Sequence, residues 1–196
     1  MLKQKLPDLI AYSVIQLPKK LPREITNKPE ILFKLAQDLL AKCANDAIIL
    51  QGNGSLELAM AIYWMARVVF WEIVWQPAEK KPGLIVYSDF EPEEIIHPHF
   101  ILKPLIWTDK EIKTLKKQRA KDKQTEISLD LAKTWEQAKI KQNPLKAFLR
   151  QLYAIEPAKK SVILKNTCPL GPALFAFKWF INRAENVYYE NIKFQI

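Results

Sequence analysis

Apolar positions in this chain fall into short β-rich runs and longer helical stretches, and the two kinds alternate. Leu9 to Leu17, with Ile10, Tyr12, Val14 and Ile15, predicts a first strand that Pro18 ends. Pro18, Pro22 and Pro29 mark an irregular connection. Pro29 then suits the first turn of a helix near 29–44, with Asn27 as its cap and Ile31, Leu32, Leu35, Leu39 and Leu40 on one face. A buried strand at 47–51 runs into Gly52-Asn53-Gly54. The helix 55–69 follows, apolar on nearly every side and therefore buried rather than amphipathic. Phe70 to Trp75 and Leu84 to Tyr87 predict two strands paired as a hairpin across a Pro- and Lys-rich turn. From Ser88 to Pro104 the pattern is acidic and proline-broken, with Phe100–Leu102 as a short strand.

The second half begins differently. Residues 109–123 carry seven basic side chains against three acids on a weak helical face formed by Ile112 and Leu115. Ser128 to Gln142 predicts a helix with Leu129, Leu131, Ala132, Trp135 and Ala138 inward. Pro144 opens another to about Ala154. Then come a strand at 161–164, a turn at 166–172, an apolar helix at 173–182 and a strand at 187–196. The order strand, glycine turn, buried helix, strand at 47–75 thus returns near the C-terminus, a candidate structural repeat. The expected fold is α/β or α+β, with two strand–helix–strand units around one mixed, ferredoxin-like sheet. Residues 1–104 form the first α/β unit, 105–158 a basic helical insertion, and 159–196 complete the same domain.

Composition narrows the class. At 196 residues the chain is one large domain or two small ones, and with 49% apolar residues a sizeable core is possible. The longest nearly apolar run, Leu56 to Trp75, is broken by Glu57, Arg67 and Glu72, so no membrane span is expected. Pro7 and Asp8 stand where a signal peptide would be apolar. Cys43 and Cys168 match neither a disulfide framework nor metal spacing. Cytoplasmic residence with reduced thiols follows as the default, with no cofactor or metal.

Charge changes the picture more. Residues 1–98 hold 11 Lys/Arg against 12 Asp/Glu, a net of −1. Residues 99–196 hold 19 against 9, a net of +10. Such asymmetry points to a polyanionic partner, RNA or a nucleoprotein complex, although a solvated lysine surface has the same composition. Lys110, Lys113, Lys116, Lys117, Arg119, Lys121 and Lys123 are the candidate phosphate contacts, and Trp107 is a candidate base-stacking residue.

Gly52, Asn53, Gly54 and Ser55 are the candidate ligand site. The chain has four glycines, and two stand here, before a helix N-terminus suited to an anion. The turn is neither a P-loop nor a dinucleotide fingerprint: no Gly-Lys-Ser/Thr follows, and Glu57 replaces the third glycine. A tight structural turn is the other reading. His97 and His99, alternating around Pro98 near Asp89, Glu93 and Glu94, are the weak catalytic candidates, and surface-loop histidines are the plainer account.

Over residues 9–89 the order of elements, with Ile48-Ile49-Leu50-Gln51-Gly52-Asn53-Gly54 at its centre, resembles a CRISPR-associated family. That family includes ring nucleases that degrade cyclic oligoadenylate messengers on a ferredoxin-like fold. Its glycine loop precedes a helix that carries a histidine, where this chain has Tyr63 and Trp64. The resemblance therefore implies an antiviral setting with a binding or scaffold role rather than ring cleavage. The expected function is a non-enzymatic RNA-binding or complex-forming accessory protein. A nucleotide- or phosphodiester-processing enzyme and a protein–protein interaction subunit are the alternatives.

Overall fold

The computed structural model describes residues 11–81, 83–89, 108, 110, 113–114, 126–190 and 192–195. The chain divides into two compact units, residues 1–102 and 103–196. The first runs β1 (Tyr12–Gln16), α1 (Arg23–Thr26), α2 (Pro29–Leu40), β2 (Ala47–Gln51), α3 (Leu56–Ala66), β3 (Glu72–Gln76) and β4 (Leu84–Ser88). The second runs β5 (Glu126–Asp130), α4 (Leu131–Lys139), α5 (Pro144–Tyr153), β6 (Ser161–Lys165), α6 (Leu170–Ile181), β7 (Asn186–Tyr189) and β8 (Ile192–Gln195). The α/β class holds. The strands form two four-stranded sheets, β1-β2-β3-β4 and β5-β6-β7-β8, rather than one. In each sheet the first three strands are parallel and the last is antiparallel.

The repeat is longer and stricter than the sequence pattern implied. Tyr12 corresponds to Glu126, Ala47 to Ser161 and Glu72 to Asn186. Each pair lies 114 positions apart, and each triplet is in register across its sheet. The same shift carries Leu56 to Leu170, the first residues of α3 and α6. Both helices are buried on nearly every side. Leu58, Ala59, Met60 and Ile62 in α3 match Pro172, Ala173, Leu174 and Ala176 in α6. Each buried leucine or isoleucine here stabilises by about 2 kcal/mol. In both units an arginine beyond the helix folds back over a tryptophan: Arg67 lies 5.3 Å from the Trp64 ring centre and Arg183 lies 3.8 Å from that of Trp179.

In the first unit two crossovers of one hand place α2 and α3 on one face of the sheet, where they pack together. Ile15, Ile48, Leu50 and Ile73 turn toward them and are buried. By strand alternation Tyr12, Val14 and Gln16 share the opposite face with Ala47, Ile49, Gln51, Glu72, Val74 and Gln76.

Several predicted elements shift. Residues 128–130, read as helix, belong to β5. Ile127 and Leu129 alternate with Glu126, Ser128 and Asp130, and the helix starts only at Leu131. Residues 126–158 thus build the second sheet and its helices. The strand read over 187–196 is a hairpin, β7 and β8, turning at Glu190, whose φ is +51°. The last apolar helix starts at Leu170, not Ala173, because Pro172 falls in the first turn, where a missing N–H costs no hydrogen bond. Phe100–Leu102 lies outside the described residues.

Asp130 caps α4, its carboxylate accepting from the Lys133 N–H at 2.9 Å and from the Asn166 amide at 2.8 Å. The Lys133 N–H above all holds its carboxyl below the ordinary value. A depressed folded pKa means stability that is present above about pH 4 and is lost as pH falls through the folded value. Asp130→Asn, which still caps, is expected to flatten the acid side of the second unit's unfolding midpoint against pH.

Candidate functional site

The carboxyl ends of β1, β2 and β3 meet at the glycine turn, the edge of a parallel sheet where α/β proteins commonly bind ligands. Gly52 has φ +107°, a conformation that favours glycine. Its N–H donates to the Gln76 carbonyl at 2.8 Å, and its carbonyl accepts from the Trp75 indole at 2.9 Å. Gly54 is glycine for a different reason. A Cβ there would stand 2.3 Å from the Pro18 carbonyl oxygen and 2.8 Å from Leu17 Cβ. The chain leaving β1 presses on the turn, and the Ser55 N–H donates to Pro18 at 3.1 Å. The Ser55 hydroxyl accepts from the Leu58 N–H, capping α3, and donates to Glu57 at 2.6 Å. The N–H groups of Gly52, Ser55 and Leu58 are therefore committed to acceptors of the chain itself. Both glycines are accounted for by turn geometry and close packing.

Beside the turn lies an amide row that sequence reasoning missed. Gln16, Gln51 and Gln76 are in register on three strands. The Gln16 amide donates to Gln51, Gln51 donates to Gln76 at 2.8 Å, and Gln76 donates to the carbonyls of Glu79 at 3.0 Å and Lys81 at 2.9 Å. All donors point one way, so each bond polarises the next. The row ends at Gln16, which is exposed.

The opposite end of the same face holds Glu72, fully buried on a central strand. Tyr12 donates to one carboxylate oxygen from two strands away, across the small side chain of Ala47. Ser88 donates to the other at 3.0 Å from β4. Burial, and then the bond to Glu72, raise the Tyr12 pKa far above its ordinary value, so the phenol stays a donor. An acid inside the β-rich run 70–75 was the available signal, since a buried carboxylate needs donors. Nearby, a 2.6 Å bond to Asp89 raises the Tyr87 pKa to about 12.

The second unit keeps the frame and changes the chemistry. Asn166 takes the place of Gly52, with φ +59°. Cys168 stands in the place of Gly54, and burial raises its thiol pKa to about 12. The row Gln16, Gln51, Gln76 becomes Asp130, Lys165, Glu190, and Glu72 becomes Asn186. Of the basic stretch, Lys110 and Lys113 are described: both are helical and exposed. Trp107, Lys116, Lys117, Arg119, Lys121, Lys123, His97 and His99 lie outside the described residues. Among the described residues no group of three His, Cys, Asp or Glu side chains is placed to hold a metal ion. Nor is any described helix long and apolar enough to cross a membrane.

In comparisons with known proteins, no family model, no curated protein and no solved structure matched the chain.

Proposed function

We propose that this chain is a non-enzymatic RNA-binding accessory protein whose second unit makes the phosphate contacts. One observation carries the reading: two units with one topology and one register differ in charge. Residues 12–89 hold 9 Lys/Arg against 8 Asp/Glu, whereas the equivalent 126–195 hold 11 against 6. Residues 103–125, leading into the second repeat, add 8 against 3. The fold does not require this charge, because its first copy stands without it. The same shift of 114 turns Gln51 into Lys165, which is exposed. Self-repulsion destabilises a strongly basic unit, and a polyanion relieves it. The aromatic side chains Phe148, Phe177 and Phe180 are fully buried in the core of their own unit, which leaves exposed cations for the partner. The setting we propose is the one the resemblance of residues 9–89 implies, a CRISPR antiviral system.

Binding of a single-stranded oligoribonucleotide, followed by fluorescence anisotropy, tests this. The logarithm of the affinity is expected to fall linearly with that of salt, with a slope of about −0.7 per phosphate contacted. Lys110→Glu with Lys113→Glu is expected to weaken binding roughly tenfold, since each lost phosphate contact removes a share of the counterion release. Lys19→Glu with Lys20→Glu in the first unit is expected to leave it nearly unchanged. A flat salt dependence would rule the reading out.

A further inference from the structure

Each unit stacks three planar side chains against its buried helix, and the two stacks end differently. In the first, Phe33 of α2 lies against Trp64 of α3 with ring centres 5.6 Å apart, and Arg67 follows at 5.3 Å. In the second, Tyr153 of α5 lies against Trp179 of α6 with ring centres 4.2 Å apart, and Arg183 follows at 3.8 Å. The shift of 114 would take Phe33, Trp64 and Arg67 to Ala147, Lys178 and Ile181. The two stacks are therefore built from unmatched positions.

The first stack is closed by its own unit. Arg67 is half-buried and donates to the Trp64 carbonyl, and burial holds its pKa below the ordinary value. Glu30, three residues before Phe33 and so on the same side of α2, is exposed and would repel an anion.

The second stack is open at its end. Arg183 is exposed, and its guanidinium carbon is at van der Waals contact with the Trp179 ring. One of its N–H groups donates to the Trp179 carbonyl at 3.3 Å. Among the described residues it makes no ion pair, and Glu185, two positions on, makes none either. Three residues before Tyr153, in the place of Glu30, stands Arg150, exposed and likewise without an ion pair among the described residues. A guanidinium with one face on tryptophan and the other toward solvent is planar and weakly hydrated. Unpaired bases stack on such planes.

We propose that Arg183, seated on Trp179 and Tyr153, is a stacking platform for one base of a single-stranded RNA, with Arg150 on a neighbouring phosphate. The proposal rests on the RNA reading above and adds a contact that phosphate neutralisation does not supply. The two rings hold the guanidinium flat before the base arrives, so less side-chain freedom is lost on binding. A lysine at this position would keep the charge and lose the plane.

Fluorescence anisotropy with an unstructured oligoribonucleotide, and with an abasic ribose-phosphate oligomer of equal length, tests this. The wild type is expected to bind the base-bearing oligomer about tenfold more tightly, the size of one stacked base. Arg183→Lys is expected to lose that factor, to bind the abasic oligomer unchanged and to keep the salt slope. Arg150→Gln is expected to weaken both oligomers alike and to flatten the slope by about 0.7, one phosphate contact. Arg67→Lys is expected to change neither. Equal, salt-dependent binding of the two oligomers by the wild type would overturn the platform and leave the RNA reading standing. So would an Arg183→Lys variant that matches the wild type on both, or weakens both alike. Binding that ignores salt would remove the RNA reading, and the platform with it. If Arg183→Lys fails to fold by circular dichroism, the ratio between the two oligomers in Arg183→Ala decides.

Discussion

Gly54→Ala is expected to destabilise the first unit by about 3 kcal/mol, the upper end of what one added methyl does in a packed site. The added Cβ meets the Pro18 carbonyl oxygen at 2.3 Å. Backbone on both sides of the contact cannot swing away as a flexible side chain would. Relief requires Leu17 and Pro18 to move, and with them the bonds from Ser55 N–H to Pro18 and from Leu17 N–H to Gln51. Equilibrium unfolding in urea, followed by tryptophan fluorescence, measures the loss as a lower midpoint for one of two transitions. Cys168→Ala is the internal control. The second unit already carries a Cβ at this position, so that change is expected to cost under about 1 kcal/mol, the size of a small volume change in a core. Equal losses at the two positions would show that the close approach of Pro18 is not what selects glycine.

The next largest effect belongs to Glu72. Glu72→Ala is expected to cost about 3 kcal/mol, because Tyr12 and Ser88 lose an acceptor inside the sheet and a void opens around them. Tyr12→Phe removes one donor from a buried carboxylate and is expected to cost about 2 kcal/mol. The two losses should not add. A Glu72→Ala, Tyr12→Phe double variant is expected to be less than 1 kcal/mol worse than Glu72→Ala alone, since groups in one network couple. Additive losses would mean that Tyr12 acts through some contact other than the carboxylate.

How far the sequence could be read depended on whether a feature was local. The helix opening at Pro144 and the buried character of α3 followed from proline position and unbroken apolarity. The antiparallel hairpin of β3 and β4 followed from two β-rich runs around a Pro- and Lys-rich turn. Residues 128–130 were misread because Leu129 and Leu131 fit a helical face as well as a strand followed by a helix. What decided between them was pairing with β6, a partner more than thirty positions away. The repeat was half visible for the same kind of reason. Its shared property is burial, which many apolar residues satisfy, so Met60 and Leu174 or Tyr63 and Phe177 occupy matching places with little identity.

Within the candidate site, Gly52 to Ser55 stood out in the sequence because glycine is scarce in this chain. The meaning of the two glycines did not. Only the fold brings Pro18 against Gly54, sets Gln16, Gln51 and Gln76 side by side, and carries the Tyr12 hydroxyl to Glu72. These are contacts between segments 25 to 60 positions apart. The sequence by itself determined the α/β class, the buried helix after the glycine turn and the basic second half, because periodicity and charge are sums over neighbouring residues. The tertiary structure alone decided that there are two sheets rather than one and that the first three strands of the second unit repeat those of the first at a constant shift. It also decided that the glycine turn is shaped by the chain's own backbone, because register and close approach are set where distant segments meet.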